Sequence, residues 1–207
     1  LRKIKNSKKF IYLISPTKIK SLLFLKDLEE VFKTKKVSFF QLRLKYTPQK
    51  KILFIGKKIK KLCSKYRVKL IINDDPLLAK KLNADGCHLG QKDMSITKAR
   101  KIIKKKIIGL TCHNSKKLIL KAINFKADYI AIGSFFYSKT KRIKFRAKIN
   151  LLNFAKSITN IPIVVIGGIN YNNYKKLLLN KANFLAISGY IWKNKKLKPL
   201  DAIKKII

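Results

Sequence analysis

Three aspartates stand out in a chain dominated by lysine. The sequence has 51 Lys and Arg residues against nine Asp and Glu, yet Asp74, Asp75 and Asp93 closely follow two successive apolar runs. Carboxylates beside basic groups suit Mg2+, which takes one or two carboxylates and completes its shell with phosphate oxygens and water. Asp75 has a second interpretation, because it precedes Pro76 as a helix N-cap would. The pattern indicates a Mg2+ site that works with a phosphorylated ligand.

Polar residues also end an earlier run, where Gln41, Arg43 and Lys45 alternate with Leu42 and Leu44. Side chains two residues apart in a strand point to the same face, so the three polar groups share one side. That face suits an anion. An ordinary surface strand end is an equally good interpretation in so lysine-rich a chain.

Hydroxyls and glycines follow the later runs. Residues 133–141 read GSFFYSKTK, and their hydroxyls and lysines suit a loop that closes over a phosphate. A mobile loop without a binding role is the alternative. A Gly-Gly pair at 167–168 and a Ser-Gly pair at 188–189 end the last two runs. Glycine at such positions lets backbone N–H groups come close to a phosphate.

Two further polar residues have structural interpretations. His88 lies among apolar positions and is interpreted as a structural histidine. An acid or base role is the alternative, because histidine titrates near neutrality. Asp85, in an Asn-Ala-Asp-Gly segment, is interpreted as a turn residue.

Eight short apolar runs must position these groups. Each run is apolar on both faces and is followed by a segment with helical spacing, which is typical of parallel strands joined by crossover helices. The runs are 10–14, 37–42, 70–72, 87–89, 107–110, 129–132, 161–166 and 184–187. Eight such units predict an α/β fold, a closed (β/α)8 TIM barrel, with residues 1–207 as a single domain. Ligands bind such a barrel at the carboxyl ends of its strands.

The net charge of +42 would by itself indicate a nucleic-acid or anionic-surface binder. Only six of the basic residues are Arg, the lysines are scattered, and base-reading or stacking motifs are missing. We therefore expect a solvated basic surface that attracts phosphorylated small molecules, with no nucleic-acid partner.

Cysteine and hydropathy patterns limit the cellular compartment and the class of protein. The three cysteines, Cys63, Cys87 and Cys112, have no C-x-x-C spacing, so we expect neither a disulfide framework nor a zinc site, and a reducing cytoplasm. No apolar run approaches the roughly 20 residues of a membrane span, so we expect no membrane partner. A hydrophobic content of 47% excludes a disordered chain.

Taken in order, these segments resemble the thiamine-phosphate synthase family. The motifs are QLRLK at 41–45, IND at 72–74, ADGCHLGQKD at 84–93, IGLT at 108–111, ADYIAIG at 127–133, SKTK at 138–141, IGGI at 166–169 and AIS at 186–188. Thr111 stands where the family usually has Ser, and Ser138 where Thr is common, so both positions keep a hydroxyl. The resemblance implies the same barrel fold.

The resemblance also implies a reaction and a site. Hydroxymethylpyrimidine diphosphate and hydroxyethylthiazole phosphate would give thiamine phosphate and pyrophosphate, through a pyrimidine carbocation that needs no protein nucleophile. Asp74 and Asp93 would hold Mg2+. The pyrimidine diphosphate would lie against Gln41, Leu42, Arg43, Leu44, Lys45, Asn73, Thr111 and Lys141, with Arg43, Lys45 and Lys141 as the catalytic cations. The thiazole phosphate would lie against Ser138, Lys139, Thr140, Gly168, Ile187 and Ser188.

Two other functions stay open at this point. Aminothiazole tautomerases share the fold, and the Ser-Gly pair at 188–189 resembles them too. A tautomerase expels no diphosphate and needs no pair of metal-binding carboxylates, so Asp74 and Asp93 favour the synthase. A basic nucleic-acid-binding module is the third alternative. The partners expected are the two phosphorylated substrates, and a second copy of the chain is a further candidate.

Overall fold

Eight parallel strands close into a barrel in the computed structural model, which describes residues 10–137 and 146–206. The strands are β1 (Ile11–Ile14), β2 (Val37–Leu42), β3 (Lys69–Asn73), β4 (Gly86–Leu89), β5 (Ile107–His113), β6 (Tyr129–Gly133), β7 (Ile163–Ile166) and β8 (Phe184–Ile187). Each pairs with the next along the chain, and β8 pairs with β1. The predicted (β/α)8 barrel is confirmed, whereas its extent over residues 1–207 stays a prediction.

Helices cover the outside of the barrel. Within the described residues they are α1 (Leu23–Lys33), α2 (Gln49–Lys65), α3 (Pro76–Lys81), α4 (Ile96–Ile103), α5 (Lys116–Asn124), α6 (Ile149–Ile158), α7 (Tyr174–Leu179), α8 (Gly189–Trp192) and α9 (Pro199–Lys204). One face of each longer helix is apolar and packs on the strands, which leaves its lysines in solvent. The scattered lysines therefore lie mostly on the helical surface.

The apolar residues form two cores because the strands are buried on both faces. The larger core lies between strands and helices, and a second cluster fills the barrel interior. Aromatic rings dominate the interior: the Tyr12 and Phe39 centroids lie 5.4 Å apart, and those of Phe39 and Phe184 lie 5.1 Å apart. The barrel interior is thus a packed core and not an open channel.

The same set of hydrogen bonds recurs before β4, β6 and β8 at the amino-terminal end of the barrel. Asp85 accepts a hydrogen bond from Leu70 N at 3.0 Å, and its own N–H donates to Leu70 O at 2.8 Å. Lys60 of α2 donates to the same carboxylate at 2.8 Å. The equivalent groups before β6 and β8 are Asp128 with Ile108 and Arg100, and Asn183 with Ile163 and Lys156. Asp85 therefore does more than form the predicted turn, since it ties α2 to the sheet.

The three cysteines lie in the core, where all of them are buried free thiols. No helix within residues 10–137 and 146–206 is long and apolar enough to span a membrane.

Candidate active site

Two acidic residues meet where β3 and β4 end. The Asp74 carboxyl lies within hydrogen-bonding contact of Asp93, and its main-chain N–H donates to His88 O at 2.8 Å. Burial and the nearby Asp93 raise the pKa of Asp74 to about 6, against the opposing effect of Lys45 and Arg43. The structure thus brings the predicted carboxylate pair and the predicted cations to one place.

Backbone geometry positions each carboxylate of this pair. Asp74 has a left-handed φ of 65°, which turns the chain sharply at the end of β3. Asp93 Oδ2 accepts a hydrogen bond from Gly90 N at 2.6 Å, and a Cβ on Gly90 would lie 3.0 Å from that oxygen. Asp75 takes no part, because its carboxylate caps α3 by accepting from Leu78 N at 2.9 Å. Its N-cap interpretation is confirmed.

The polar residues after β2 divide between the barrel interior and its mouth. Gln41 is 3% exposed and its side chain acts on the Tyr12 hydroxyl inside the barrel. Arg43 is half-buried and its N–H donates to Ser15 Oγ at 2.9 Å, whereas Lys45 is exposed. Arg43 and Lys45 both act electrostatically on Asp74. The two cations therefore lie at the mouth, with Gln41 beneath them.

His88 lies inside the barrel and joins two elements of the site. Its Nδ1 lies 2.8 Å from Tyr129 Oη and its Nε2 lies 2.8 Å from Thr111 Oγ1. Burial lowers the pKa of His88 to about 4, with Asp93 opposing the shift and Arg43 adding to it. The ring is therefore neutral at pH 7, which supports the structural interpretation. The Gln91 side-chain amide donates to the Thr111 carbonyl.

Three candidate binding residues have side chains that point away from the mouth. Leu42 and Ile187 are each 2% exposed and belong to the core between strands and helices. Leu44 is partly buried against the same core. These residues can contact a ligand only through their main chains.

The glycines after β7 are required by packing as well as by their conformation. Gly167 and Gly168 have φ values of 109° and 62°. A Cβ on Gly167 would lie 1.8 Å from Ser134 Oγ, and one on Gly168 would lie 2.1 Å from Tyr137 O. The loop after β6 therefore packs directly on the Gly-Gly pair. This contact is a second reason for glycine, beside the close approach of a phosphate expected from the sequence.

Ser188 follows β8 beside the start of the chain's first loop. Its hydroxyl donates to Ser15 O at 3.2 Å, and Trp192 Nε1 donates to Ile14 O at 2.7 Å. The ends of β8 and β1 are thus joined at the mouth. Four predicted site residues, Ser138, Lys139, Thr140 and Lys141, lie outside the described residues.

Sequence reasoning missed the interior tyrosines and Ser15. Tyr12 and Tyr129 lie within apolar strands, where the sequence suggests only core packing, yet their hydroxyls lie 2.7 Å apart. A buried tyrosine usually finds a hydrogen-bond partner, and two in one barrel were the available signal. Ser15 directly follows β1 and so lies at the carboxyl end of a strand, which is the position that predicts a site residue.

The barrel and its mouth define the class of protein. A carboxylate pair, cations and hydroxyls meet at the carboxyl ends of the strands, where (β/α)8 barrels carry their active sites. Groups of three or more potential metal ligands are missing among the described residues, which leaves the pair of aspartates as the candidate cation site. The chain is therefore a (β/α)8-barrel enzyme.

Comparisons with known proteins give its family. The family model described as thiamine monophosphate synthase matches residues 11–191. Thiamine-phosphate synthase of Pelagibacter ubique (strain HTCC1062) is 64% identical over 206 residues, which cover 100% of both chains. That of Erythrobacter litoralis (strain HTCC2594) is 38% identical and covers 88% of this chain and 87% of its own. The solved structure of thiamine phosphate pyrophosphorylase from Pyrococcus furiosus has a TM-score of 0.83 at 26% identity and covers 96% and 94% of the two chains.

The chain belongs to the thiamine monophosphate synthase family, and it is a transferase of thiamine biosynthesis. The family resemblance predicted from the motifs is confirmed.

Proposed function

We propose that this enzyme joins hydroxymethylpyrimidine diphosphate to hydroxyethylthiazole phosphate and releases thiamine phosphate and pyrophosphate. The observation that carries the proposal is the Asp74–Asp93 pair, held beside the charges of Arg43 and Lys45 at the barrel mouth. A diphosphate leaving group needs its charge neutralised as its bond breaks. A tautomerase has no such leaving group, and so no use for this combination.

The bond changes need no nucleophile from the protein. The C–O bond between the pyrimidine methylene and the diphosphate breaks, and its electron pair goes to the diphosphate oxygen. The thiazole nitrogen then supplies the electron pair of the new N–C bond. The enzyme's contribution is to hold the two substrates in line and to stabilise the departing anion.

The Asp74–Asp93 pair fits Mg2+. Burial and the neighbouring Asp93 carboxylate both disfavour the charged form of Asp74 and raise its pKa, and a hard divalent cation would offset both effects. When bound, Mg2+ supplies positive charge that stabilises the leaving diphosphate. Asn73, at the end of β3, lies beside the pair.

The cations and Thr111 would bind the diphosphate. Arg43 can form paired hydrogen bonds with phosphate oxygens, whereas Lys45 offers a mobile point charge from the edge of the mouth. Thr111 Oγ1 lies at the end of β5 beside His88. Lys141 is assigned to the same group by its motif, together with Gln41 and the main chains of Leu42 and Leu44.

The thiazole phosphate would bind on the opposite side of the mouth. Gly168, Ser188 and the main chain of Ile187 end β7 and β8, and the loops after these strands are the usual phosphate site of the fold. Ser138, Lys139 and Thr140 join this group by their motif. The two substrates would thus enter from different sides of the barrel axis.

Setting and partners complete the proposal. Three buried free thiols suit a reducing cytoplasm, and the enzyme's partners would be its two phosphorylated substrates, with a second copy of the chain possible. The high lysine content would serve solvation and attraction of anions, without nucleic-acid binding. A filter-binding titration with RNA checks this, and salt-dependent specific binding would overturn it.

A comparison of metal-site and surface variants tests the function. With both substrates and Mg2+, the wild-type chain should form thiamine phosphate and pyrophosphate in equal amounts. Asp93→Ala should form almost none, whereas Asp201→Ala, on the exposed start of α9, should match the wild type. Equal activity of the two variants would contradict the proposed site.

A further inference from the structure

A chain of hydrogen bonds runs through the barrel interior beneath the active site. The Gln41 side chain interacts with the Tyr12 hydroxyl, which lies 2.7 Å from the Tyr129 hydroxyl. Tyr129 Oη lies 2.8 Å from His88 Nδ1, and His88 Nε2 lies 2.8 Å from Thr111 Oγ1. The chain crosses from β2 through β1, β6 and β4 to β5. It ends at Thr111, whose hydroxyl the proposed function places against the diphosphate.

We infer that Tyr12, Tyr129 and His88 are positioning residues that orient the Thr111 hydroxyl as a hydrogen-bond donor toward the diphosphate. The inference rests on the proposed function, because that function puts a phosphate acceptor beside Thr111. None of the three positioning residues needs to touch the substrate.

Each group in this chain of hydrogen bonds has a limited number of protons, so the direction of one hydrogen bond fixes the direction of the next. A hydroxyl has one proton, and a neutral imidazole has one donor and one acceptor nitrogen. His88 is partly buried with a hydroxyl at each ring nitrogen, and as a neutral ring it donates to one of them and accepts from the other. Each member therefore donates once along the chain, and all the bonds run the same way.

Donation by Thr111 to an anion selects one of the two directions. His88 Nε2–H must then donate to Thr111, and His88 Nδ1 must accept from Tyr129. Tyr129 in turn accepts from Tyr12, which accepts from the amide of Gln41. In the reverse direction Thr111 would give its proton to His88 and present only lone pairs to the diphosphate.

Gln41 is suited to begin the chain in the productive direction. Its amide carries two N–H donors, so it can donate to the Tyr12 hydroxyl while that hydroxyl donates to Tyr129. Burial raises the pKa of Tyr12, so the phenol keeps its proton and passes a hydrogen bond onward.

Packing prevents the hydroxyls from swinging away. Tyr129 is 1% exposed, and its ring lies so close to Gly109 that a Cβ there would come within 1.9 Å of Cζ. The His88 ring is stacked on the Tyr129 ring at an interplanar angle of 15°. The donor at Thr111 is therefore fixed before substrate arrives, which is how preorganised groups stabilise developing charge.

Nitrogen-15 NMR of the histidines tests the direction. The chain has two histidines, and a His113→Gln variant assigns their signals. With Mg2+ and inorganic pyrophosphate present, His88 should show a protonated Nε2 and an unprotonated Nδ1. A protonated Nδ1 under these conditions would overturn the inference. This readout is independent of turnover, so it does not depend on the proposed function being measured.

A double-mutant cycle tests the coupling. Tyr129→Phe should lower kcat/KM for the pyrimidine diphosphate about tenfold, and Thr111→Val by a similar or larger factor. If Tyr129 acts through Thr111, adding Tyr129→Phe to Thr111→Val should cost little more, and Thr111→Ser should restore most of the rate. Tyr66→Phe is the matched control, since its hydroxyl bonds Glu29 on the outer helices at 2.7 Å.

Two results separate failure of this inference from failure of the proposed function. In the first, the wild-type chain makes thiamine phosphate, but the losses caused by Tyr129→Phe and Thr111→Val multiply in the double variant. This result would overturn the inference and leave the proposed function in place. A wild-type chain that makes no thiamine phosphate from both substrates would overturn the function, whatever the histidine spectrum shows.

Discussion

The carboxyl groups of Asp74 and Asp93 lie within hydrogen-bonding contact of each other at the ends of the neighbouring strands β3 and β4. If they share one Mg2+, removing either should already abolish most of the metal's benefit. Asp74→Ala and Asp93→Ala should each lower kcat by roughly a thousandfold or more, and the double variant should be little worse than the poorer single one. Steady-state kinetics in saturating Mg2+ check this, and losses that multiply would show that the two carboxylates act separately.

The same contact predicts a stability gain when Asp74 is made neutral. The folded-state pKa of about 6 lies above the ordinary value of 3.8, so between these pH values the unfolded chain binds fewer protons and stability falls as pH rises. Above pH 6 the full penalty is present. Asp74→Asn in EDTA should therefore be more stable than the wild type at pH 7, by about 1 kcal/mol after allowing for partial exposure.

Thermal unfolding at several pH values measures this gain. The advantage of Asp74→Asn should correspond to about 2–4 °C in Tm at pH 7 and shrink toward pH 4. Asparagine also tolerates the left-handed φ at this position, which would give a gain that does not change with pH. Only the pH-dependent part reports the cost of the Asp74 charge, which comes from burial and from Asp93, and its absence would contradict the raised pKa.

Lys45 should discriminate between the two substrates. Lys45→Ala removes a cation from the diphosphate side of the mouth and leaves the β7–β8 side untouched. We expect kcat/KM for the pyrimidine diphosphate to fall about tenfold to a hundredfold, with the KM for thiazole phosphate nearly unchanged. Lys69→Ala, at the opposite end of β3, is the matched control. Equal losses toward both substrates would remove Lys45 from the diphosphate group.

Gly109 should be intolerant of a methyl group. A Cβ there would lie 1.9 Å from Tyr129 Cζ, within a fully packed interior. Gly109→Ala should destabilise the fold by about 3 kcal/mol or more, because overpacking a core forces side chains and backbone to shift. Gly56→Ala provides the comparison, since a Cβ at Gly56 would lie 2.7 Å from the flexible end of the Leu82 side chain. Denaturant unfolding should rank Gly109→Ala as the more damaging change.

The fold could be predicted because strand burial leaves a direct trace in sequence. Each of the eight strands overlaps a predicted apolar run, since a parallel strand covered on both faces needs apolar residues at nearly every position. The carboxylate pair could also be predicted from the sequence, because acidic residues are rare in this chain and these two fall at strand ends. The sequence left two interpretations of Asp75, a metal-site carboxylate and a helix N-cap. The hydrogen bond that its carboxylate accepts from Leu78 N supports the N-cap.

The interior of the site could not be predicted in the same way. Tyr12 and Tyr129 are 117 positions apart, and nothing in either strand says that their hydroxyls meet. The side chain of Leu42 turns into the outer core because alternate strand positions face opposite sides, and motif matching alone treats it as equal to its neighbours. Partners brought together by barrel closure need the three-dimensional structure.

The most direct test of the whole account is a single reaction. The purified chain is incubated with hydroxymethylpyrimidine diphosphate, hydroxyethylthiazole phosphate and Mg2+, with and without excess EDTA, and both products are measured. We expect thiamine phosphate and pyrophosphate in equal amounts with Mg2+, and almost none of either in EDTA. Full activity in EDTA would contradict the metal site, and no thiamine phosphate under either condition would contradict the proposed reaction.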